Sequence, residues 1–102
     1  MMCTVKVRRL KPGTYDEFRE ALMPTNWPEA LSHFLVLRSS EDPDQVCTIG
    51  YLEASNDLAE TLRDDPELRA AEAARLERVA GYTESVLASG LFDIVEKVER
   101  SA

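Results

Sequence analysis

A histidine, a tyrosine and a tryptophan are the residues of this 102-residue chain best suited to chemistry on an organic ligand. His33 is the only histidine and begins an apolar run, Tyr51 lies near the end of another, and Trp27 is the only tryptophan. A histidine with an ordinary pKa of ~6.5 can serve as general base on a phenol or quinol. Aromatic side chains among apolar neighbours suit a small-molecule pocket. These three residues form a candidate site if the fold brings them together.

Apolar alternation predicts the strands that would position them. Residues 3–10 alternate as a half-buried strand does. Residues 33–38 and 46–53 flank the turn sequence Ser40-Glu41-Asp42-Pro43-Asp44, so they predict a β-hairpin. Residues 91–98 predict a fourth strand after Ser89-Gly90, which is a helix-ending pair.

Two helical stretches lie between these strands. Thr14-Tyr15-Asp16-Glu17 is a capping-box sequence that predicts a short helix ending at Met23-Pro24. A second stretch opens at Ser55 and restarts as a long helix over residues 65–88. The order β-α-β-β-α-β predicts one α+β domain over residues 1–102. It is a ferredoxin-like sandwich with the antiparallel sheet order 4-1-3-2 and helices on one face.

The hairpin turn also predicts which residues share a face. A turn centred near Asp42 places His33 opposite Tyr51 and Leu35 opposite Ile49, with Val5 of the first strand on the same face. This face is the more apolar one, so we expect it to lie beneath the helices.

On this arrangement His33 and Tyr51 are the predicted catalytic residues of a pocket between sheet and helices. Val5, Leu35 and Ile49 line the pocket as substrate-binding residues, and Trp27 stands at its mouth. The alternative is structural: His33 is an ordinary strand-end residue, Tyr51 packs beside it and Trp27 closes the core.

The opposite face carries basic side chains among apolar ones. Lys6, Arg8 and Arg38 share it with Phe34, Val36, Val46 and Thr48. We expect this face to be free of helices and to meet a partner, most simply a second copy of the chain. The basic side chains would then extend to the ends of the interface and pair with Asp93 or Glu96. An anionic-ligand site is the alternative.

The overall charge limits the classes of partner that the protein is expected to bind. The chain has 12 basic and 19 acidic residues and a net charge of −7, which disfavours nucleic acid and anionic membranes because both are recognised through positive charge. No apolar run reaches the ~18 residues of a spanning helix. The first residues are too short and too alternating for a signal peptide, so we expect a cytoplasmic protein.

The cysteines indicate neither a disulfide framework nor a metal site. The chain has only two cysteines, Cys3 and Cys47. Their spacing to each other and to the one histidine is not that of metal ligands. We therefore expect no metal or other cofactor. Pairing that places Cys3 near Glu53 and Cys47 near Arg9 separates the cysteines by ~20 Å, so both thiols are predicted to be free.

Two segments resemble a known family. The stretch Asp42-Pro43-Asp44-Gln45-Val46-Cys47-Thr48-Ile49-Gly50-Tyr51 and the helix start Asp64-Asp65-Pro66-Glu67-Leu68, with the element order, resemble the antibiotic biosynthesis monooxygenase-like domains of the dimeric α/β-barrel superfamily. The resemblance covers about residues 3–98. It implies a homodimer in which two sheets pair face to face into a barrel.

The same resemblance implies the range of activities. Some members are cofactor-independent oxygenases of aromatic polyketides or quinols, and some degrade haem. The haem-degrading branch uses an Asn on the first strand and a Trp and a His on the second helix, none of which this chain has at those places. We therefore expect a cofactor-independent monooxygenase acting on an aromatic, polyketide or quinol-type small molecule. The alternatives are a non-catalytic binding or regulatory protein, or a stress-related protein of quinone metabolism.

Overall fold

Four strands and two helices make up the part of the chain that the computed structural model describes, residues 2–23, 31–52 and 66–101. In chain order they are β1 (Met2–Leu10), α1 (Tyr15–Leu22), β2 (Leu31–Arg38), β3 (Gln45–Leu52), α2 (Pro66–Ala80) and β4 (Thr83–Asp93). The strands form one antiparallel sheet in the order β2-β3-β1-β4. The predicted ferredoxin-like sandwich is therefore confirmed.

The hairpin register is the predicted one. His33 pairs with Tyr51 and Leu35 with Ile49. The turn is closed by a hydrogen bond from the Ser39 amide to the Gln45 carbonyl at 2.9 Å. Such a bond fixes which residues of the two strands stand opposite each other.

The predicted pairing of β1 with β3 was wrong by two residues. Cys3 lies opposite Tyr51 rather than Glu53, and Cys47 lies opposite Val7 rather than Arg9. A shift of two residues leaves every side chain on its predicted face, because side chains in a strand alternate with a period of two. Both cysteines are free, as predicted.

The hairpin turn explains this register. Arg9 Nη1 donates to Asp42 Oδ2 at 2.8 Å, and the Leu10 amide donates to the Asp44 carbonyl at 2.7 Å. Two hydrogen bonds to the Asp42 carboxyl hold its pKa below the ordinary value. The larger effect comes from the Asp44 amide and the smaller one from Arg9. The end of β1 is thus fastened to the turn.

The faces of the sheet are the reverse of those predicted. The buried core consists of Leu10, Phe18, Leu22, Val46 and Val79. Two of these, Leu10 and Val46, lie on the strand face that was expected to be free of helices. Phe34 and Val36 of that face pack against the core as well.

Arginine side chains made that face look less apolar than it is. The Arg8 guanidinium lies 5.6 Å from the centre of the Phe18 ring, and that of Arg38 lies 4.6 Å from the centre of the Tyr15 ring. Their apolar stems therefore cover core surface while the charged groups rest on aromatic rings. The predicted pairing of Lys6 and Arg8 with Asp93 or Glu96 is absent among the described residues.

The other face is the open one. Its predicted pocket residues include Leu35, which is 44% exposed, and its neighbour Leu37, also 44% exposed. None of the described helices buries these side chains. The face that carries Val5, Leu35 and Ile49 is therefore not the helix-covered face.

Two local predictions about the helices also need correction. The predicted Thr14 capping box does not form, because the Thr14 hydroxyl donates to the Lys11 carbonyl at 2.7 Å and makes no cap hydrogen bond. The long helix ends at Ala80 rather than at residue 88. At that point the amides of Gly81 and Tyr82 bond back to the carbonyls of Arg78 and Val79.

Candidate functional site

His33 and Tyr51 meet as the hairpin register predicts. Their rings are stacked with centroids 4.6 Å apart and an interplanar angle of 14°. An irregularity in the pairing between Leu31 and His33 leaves Ser32 as an extra residue in β2. The Ser32 hydroxyl hydrogen-bonds with His33 Nδ1 at 2.9 Å and donates to the Tyr51 carbonyl at 3.4 Å. Ser32 thus links the His33 ring to the backbone of Tyr51 at this end of the hairpin.

This pair lies on the open face, so it is not the pocket between sheet and helices that was predicted. His33 is exposed, and Val5, Leu35 and Ile49 belong to the same open face. Trp27 lies outside the described residues. The catalytic roles of His33 and Tyr51, and the substrate-binding roles of Val5, Leu35, Ile49 and Trp27, stay predictions.

A cavity between sheet and helix does exist, at another place. It has a volume of about 380 Å³ and lies where α2 crosses β1 and β4. Its lining consists of two β1 cations, three apolar α2 residues and the first residues of β4: Lys6, Arg8, Leu76, Val79, Ala80, Thr83, Glu84, Ser85 and Val86. A mostly apolar hollow with a few polar groups is the common form of a ligand site.

Irregular pairing of β4 accompanies this cavity. The register between β1 and β4 shifts twice, between Val7 and Arg8 and between Arg9 and Leu10, so β4 has an extra residue at each place. Such β-bulges bend a strand and increase its local twist, and they are frequent beside functional sites. One extra residue, Glu84, lies in the β4 segment that lines the cavity, and the other, Leu87, directly follows that segment.

Arg8 is the most buried polar group of the described structure. It is 5% exposed, and its Nη1 donates to Thr48 Oγ1 at 3.1 Å. Burial, and to a lesser extent repulsion by Arg75, lowers the pKa of Arg8. An arginine nevertheless stays charged at neutral pH. No carboxylate among the described residues forms an ion pair with it. A guanidinium has five N–H donors and keeps its charge at neutral pH. Arg8 therefore adds a fixed positive charge to the lining of the cavity.

Lys6 is the second cation of the lining. Burial, then repulsion by Arg8 and by Arg75, lowers its pKa below the ordinary value. Arg75 is anchored to the end of α1, because its Nη1 donates to the Leu22 carbonyl at 3.2 Å. The cavity therefore combines apolar walls with one permanent cation and one amine whose pKa lies below its ordinary value.

Sequence reasoning named Lys6 and Arg8 but placed them on the wrong side of the molecule. It missed Thr83, Glu84, Ser85 and Val86, because residues 65–88 were read as one helix. The available clue was Gly81 followed by Tyr82 and Thr83, a helix-ending glycine before residues that favour strands.

Neither protein-family models nor curated proteins provide a sequence match. No family model matches the chain. No curated protein matches it either.

Solved structures do share its fold. A protein named as a candidate antibiotic biosynthesis monooxygenase from Chloroflexus aurantiacus superposes with a TM-score of 0.69 at 14% identity, covering 96% of each chain. Another so named, from Nitrosomonas europaea, gives 0.68 at 17% identity over 94% of this chain and 100% of that one. A NIPSNAP family protein from Agrobacterium tumefaciens superposes with a TM-score of 0.58 at 18% identity, covering 89% of this chain and 82% of that one. The resemblance to antibiotic biosynthesis monooxygenase-like domains is therefore confirmed at the level of the fold.

One further observation concerns membranes. Among the described residues, no helix has the length and apolar character needed to cross a bilayer.

Proposed function

We propose that this protein is a cofactor-independent monooxygenase that binds an aromatic, polyketide or quinol-type small molecule in the cavity between α2 and the sheet. The observation that carries the proposal is the cavity itself, which joins the apolar walls of Leu76, Val79 and Val86 to the buried cation Arg8. Neighbours with the same fold that are named as candidate monooxygenases make oxygenation the first reaction to test.

Arg8 supplies what oxygenation without a metal requires of a protein. The substrate itself must provide the electrons for O₂, and it does so most readily as a phenolate or enolate. A fixed cation beside apolar walls stabilises such an oxyanion better than a fully hydrated charge does. For an anthrone, the CH₂ carbon becomes a C=O carbon with one oxygen atom from O₂, and the other oxygen leaves as water with the two hydrogens.

A homodimer is the second part of the proposal. We propose that two copies pack their open faces together. Leu35, Leu37 and Phe92 of this face are 44%, 44% and 53% exposed. A sheet face with this much exposed apolar surface favours a partner, and a second copy related by a two-fold axis is the simplest one. Barrel closure and the expected cytoplasmic location stay predictions.

Oxygen uptake with a panel of quinols and anthrones tests the proposed function. We expect uptake by the unmodified protein and its loss in Ala80→Trp, because an indole at this lining position fills the cavity. Ala74→Trp is the matched control, since Ala74 is exposed elsewhere on α2. His33→Ala tests the other candidate residue, on the opposite face of the sheet.

The outcomes separate the candidate functions. Uptake that survives Ala80→Trp would contradict the cavity as the reaction site, and loss in His33→Ala alone would transfer the chemistry to the open face. Binding of panel members without oxygen uptake would favour the non-catalytic alternative.

A further inference from the structure

Lys6 is the second basic residue that lines the cavity. Its side chain is half-buried and lines the cavity next to Arg8, which lies two residues further along β1 and on the same face of the sheet. The neighbouring strand β3 places neutral Thr48 opposite Lys6. Lys6 therefore lies in the wall of the cavity that the proposed substrate would fill.

The charges around Lys6 come from three elements. Arg8 of β1 and Arg75 of α2 both repel its ammonium form. Glu84 of β4 lines the same cavity, yet no carboxylate of the described chain forms an ion pair with Lys6. Burial and repulsion together lower the Lys6 pKa and increase its neutral fraction. Desolvation and adjacent cations are the conditions under which a lysine acts as a base or nucleophile in enzymes.

We propose that Lys6 Nζ is the general base of the cavity and takes the proton from the acidic C–H or O–H group of an aromatic substrate. This inference rests on the proposed function, because it assumes that the cavity binds such a substrate. It assigns proton removal to Lys6 and leaves Arg8 to stabilise the resulting oxyanion.

The step balances without any further reactant. In an anthrone, the lone pair of Nζ binds a proton of the CH₂ group. The C–H electron pair moves into the ring system as the enolate, whose negative oxygen is stabilised by Arg8. The ammonium form of Lys6 then returns the proton to solvent, which the two neighbouring arginines favour because they repel it.

The first measurement needs no substrate. The unmodified protein is treated with trinitrobenzenesulfonate over a range of pH, and each lysine is followed by mass spectrometry. The lysines of the chain are Lys6, Lys11 and Lys97, and the last two are exposed, so they serve as internal controls. We expect Lys6 to become reactive at lower pH than either control. A Lys6 that titrates together with Lys11 and Lys97 would overturn the proposal.

Removing a neighbouring cation tests the cause of that shift. Arg75→Gln is expected to move the Lys6 transition toward higher pH, since it removes one repulsive charge. Arg78→Gln removes the same charge from an exposed position on the same helix and should leave the transition in place. An equal effect of the two variants would count against a local interaction and overturn this assignment of the base.

The second measurement isolates proton transfer from oxygenation. Hydrogen–deuterium exchange at the CH₂ group of 1,8-dihydroxyanthrone is followed by NMR in D₂O under nitrogen. We expect the protein to accelerate exchange, and Lys6→Met to lower that acceleration by about 100-fold or more, within the usual range for a general base. Lys11→Met should leave it unchanged.

The two proposals fail in different ways. Exchange that Lys6→Met does not slow, or an unmodified protein that does not catalyse exchange, would overturn the role of Lys6. Oxygen uptake in the same preparation would then leave the proposed function standing. Exchange that depends on Lys6 without any oxygen uptake in air would support the base and contradict the oxygenase.

Discussion

Replacing Leu35 by aspartate is expected to convert a species of about twice the 11.5 kDa chain mass into a monomer. Leu35 lies on β2 in the open face and is 44% exposed in the single chain. In the proposed dimer this surface is buried, so an aspartate there would lose its hydration without gaining a partner. That penalty amounts to several kcal/mol per charge, and two-fold symmetry introduces it twice. Since about 1.4 kcal/mol is tenfold in a dissociation constant, the dimer should dissociate at micromolar concentration.

Sedimentation or light scattering of the variant and its control decides this prediction. Val98→Asp makes the same chemical change at a position that lies beyond β4 and is 82% exposed. It should keep the mass of the unmodified protein. A monomeric unmodified protein would contradict the dimer, and so would a Leu35→Asp variant of unchanged mass.

Replacing Phe18 by alanine should lower the free energy of unfolding by about 3–5 kcal/mol. Phe18 is fully buried at 0% exposure, where α1 meets the sheet. Its removal leaves a void among Leu10, Leu22 and Val46 and takes away the ring on which the Arg8 guanidinium rests. A domain of this size has a total stability of about 5–15 kcal/mol, so the variant should be only marginally folded.

Urea unfolding at neutral pH measures the change. Phe18→Leu keeps most of the apolar volume but not the ring, so its loss should be smaller than that of the alanine variant. Val95→Ala, at 92% exposure, is the control and should differ from the unmodified protein by less than about 0.5 kcal/mol. An alanine variant at Phe18 as stable as this control would contradict the described core.

The pairing of His33 with Tyr51 could be predicted because it depends on local information. The turn around Asp42 has a fixed length, and the alternation of the two flanking strands allows only registers that differ by two residues. The meeting of β1 and β3 is less local. It depends on contacts such as that between Arg9 and Asp42, which are 33 residues apart in the chain, and the predicted register was wrong there by two.

Alternation could not decide which face the helices cover. It separates two faces, and in this chain both carry large apolar residues, such as Leu35 on one and Phe34 on the other. The covered face also holds Arg8 and Arg38, which count as polar residues in a sequence but pack their guanidinium groups against aromatic rings. Ranking the faces by apolar content therefore chose the wrong one, and the candidate pocket followed that choice.

The end of α2 was predicted wrongly for a different reason. Val79, Thr83 and Val86 fit a helical spacing, but Thr83 and Val86 equally fit a strand, and Gly81 lies between them and Val79. The structure ends the helix at this glycine, and the Thr83 hydroxyl donates to the Val79 carbonyl at 2.9 Å. The β4 wall of the cavity begins here, so the prediction of a helix through residue 88 missed this wall.

Amide chemical-shift mapping with 2-naphthol, a phenol stable in air, tests whether the cavity between α2 and the sheet is the ligand site. Two-dimensional ¹H–¹⁵N spectra are recorded as the phenol is added to the unmodified protein. We expect the largest shifts at Lys6, Val79 and Thr83 to Val86, and we expect Ala80→Trp to abolish them. Shifts concentrated at His33, Leu35 and Tyr51, on the open face of the sheet, would contradict this expectation.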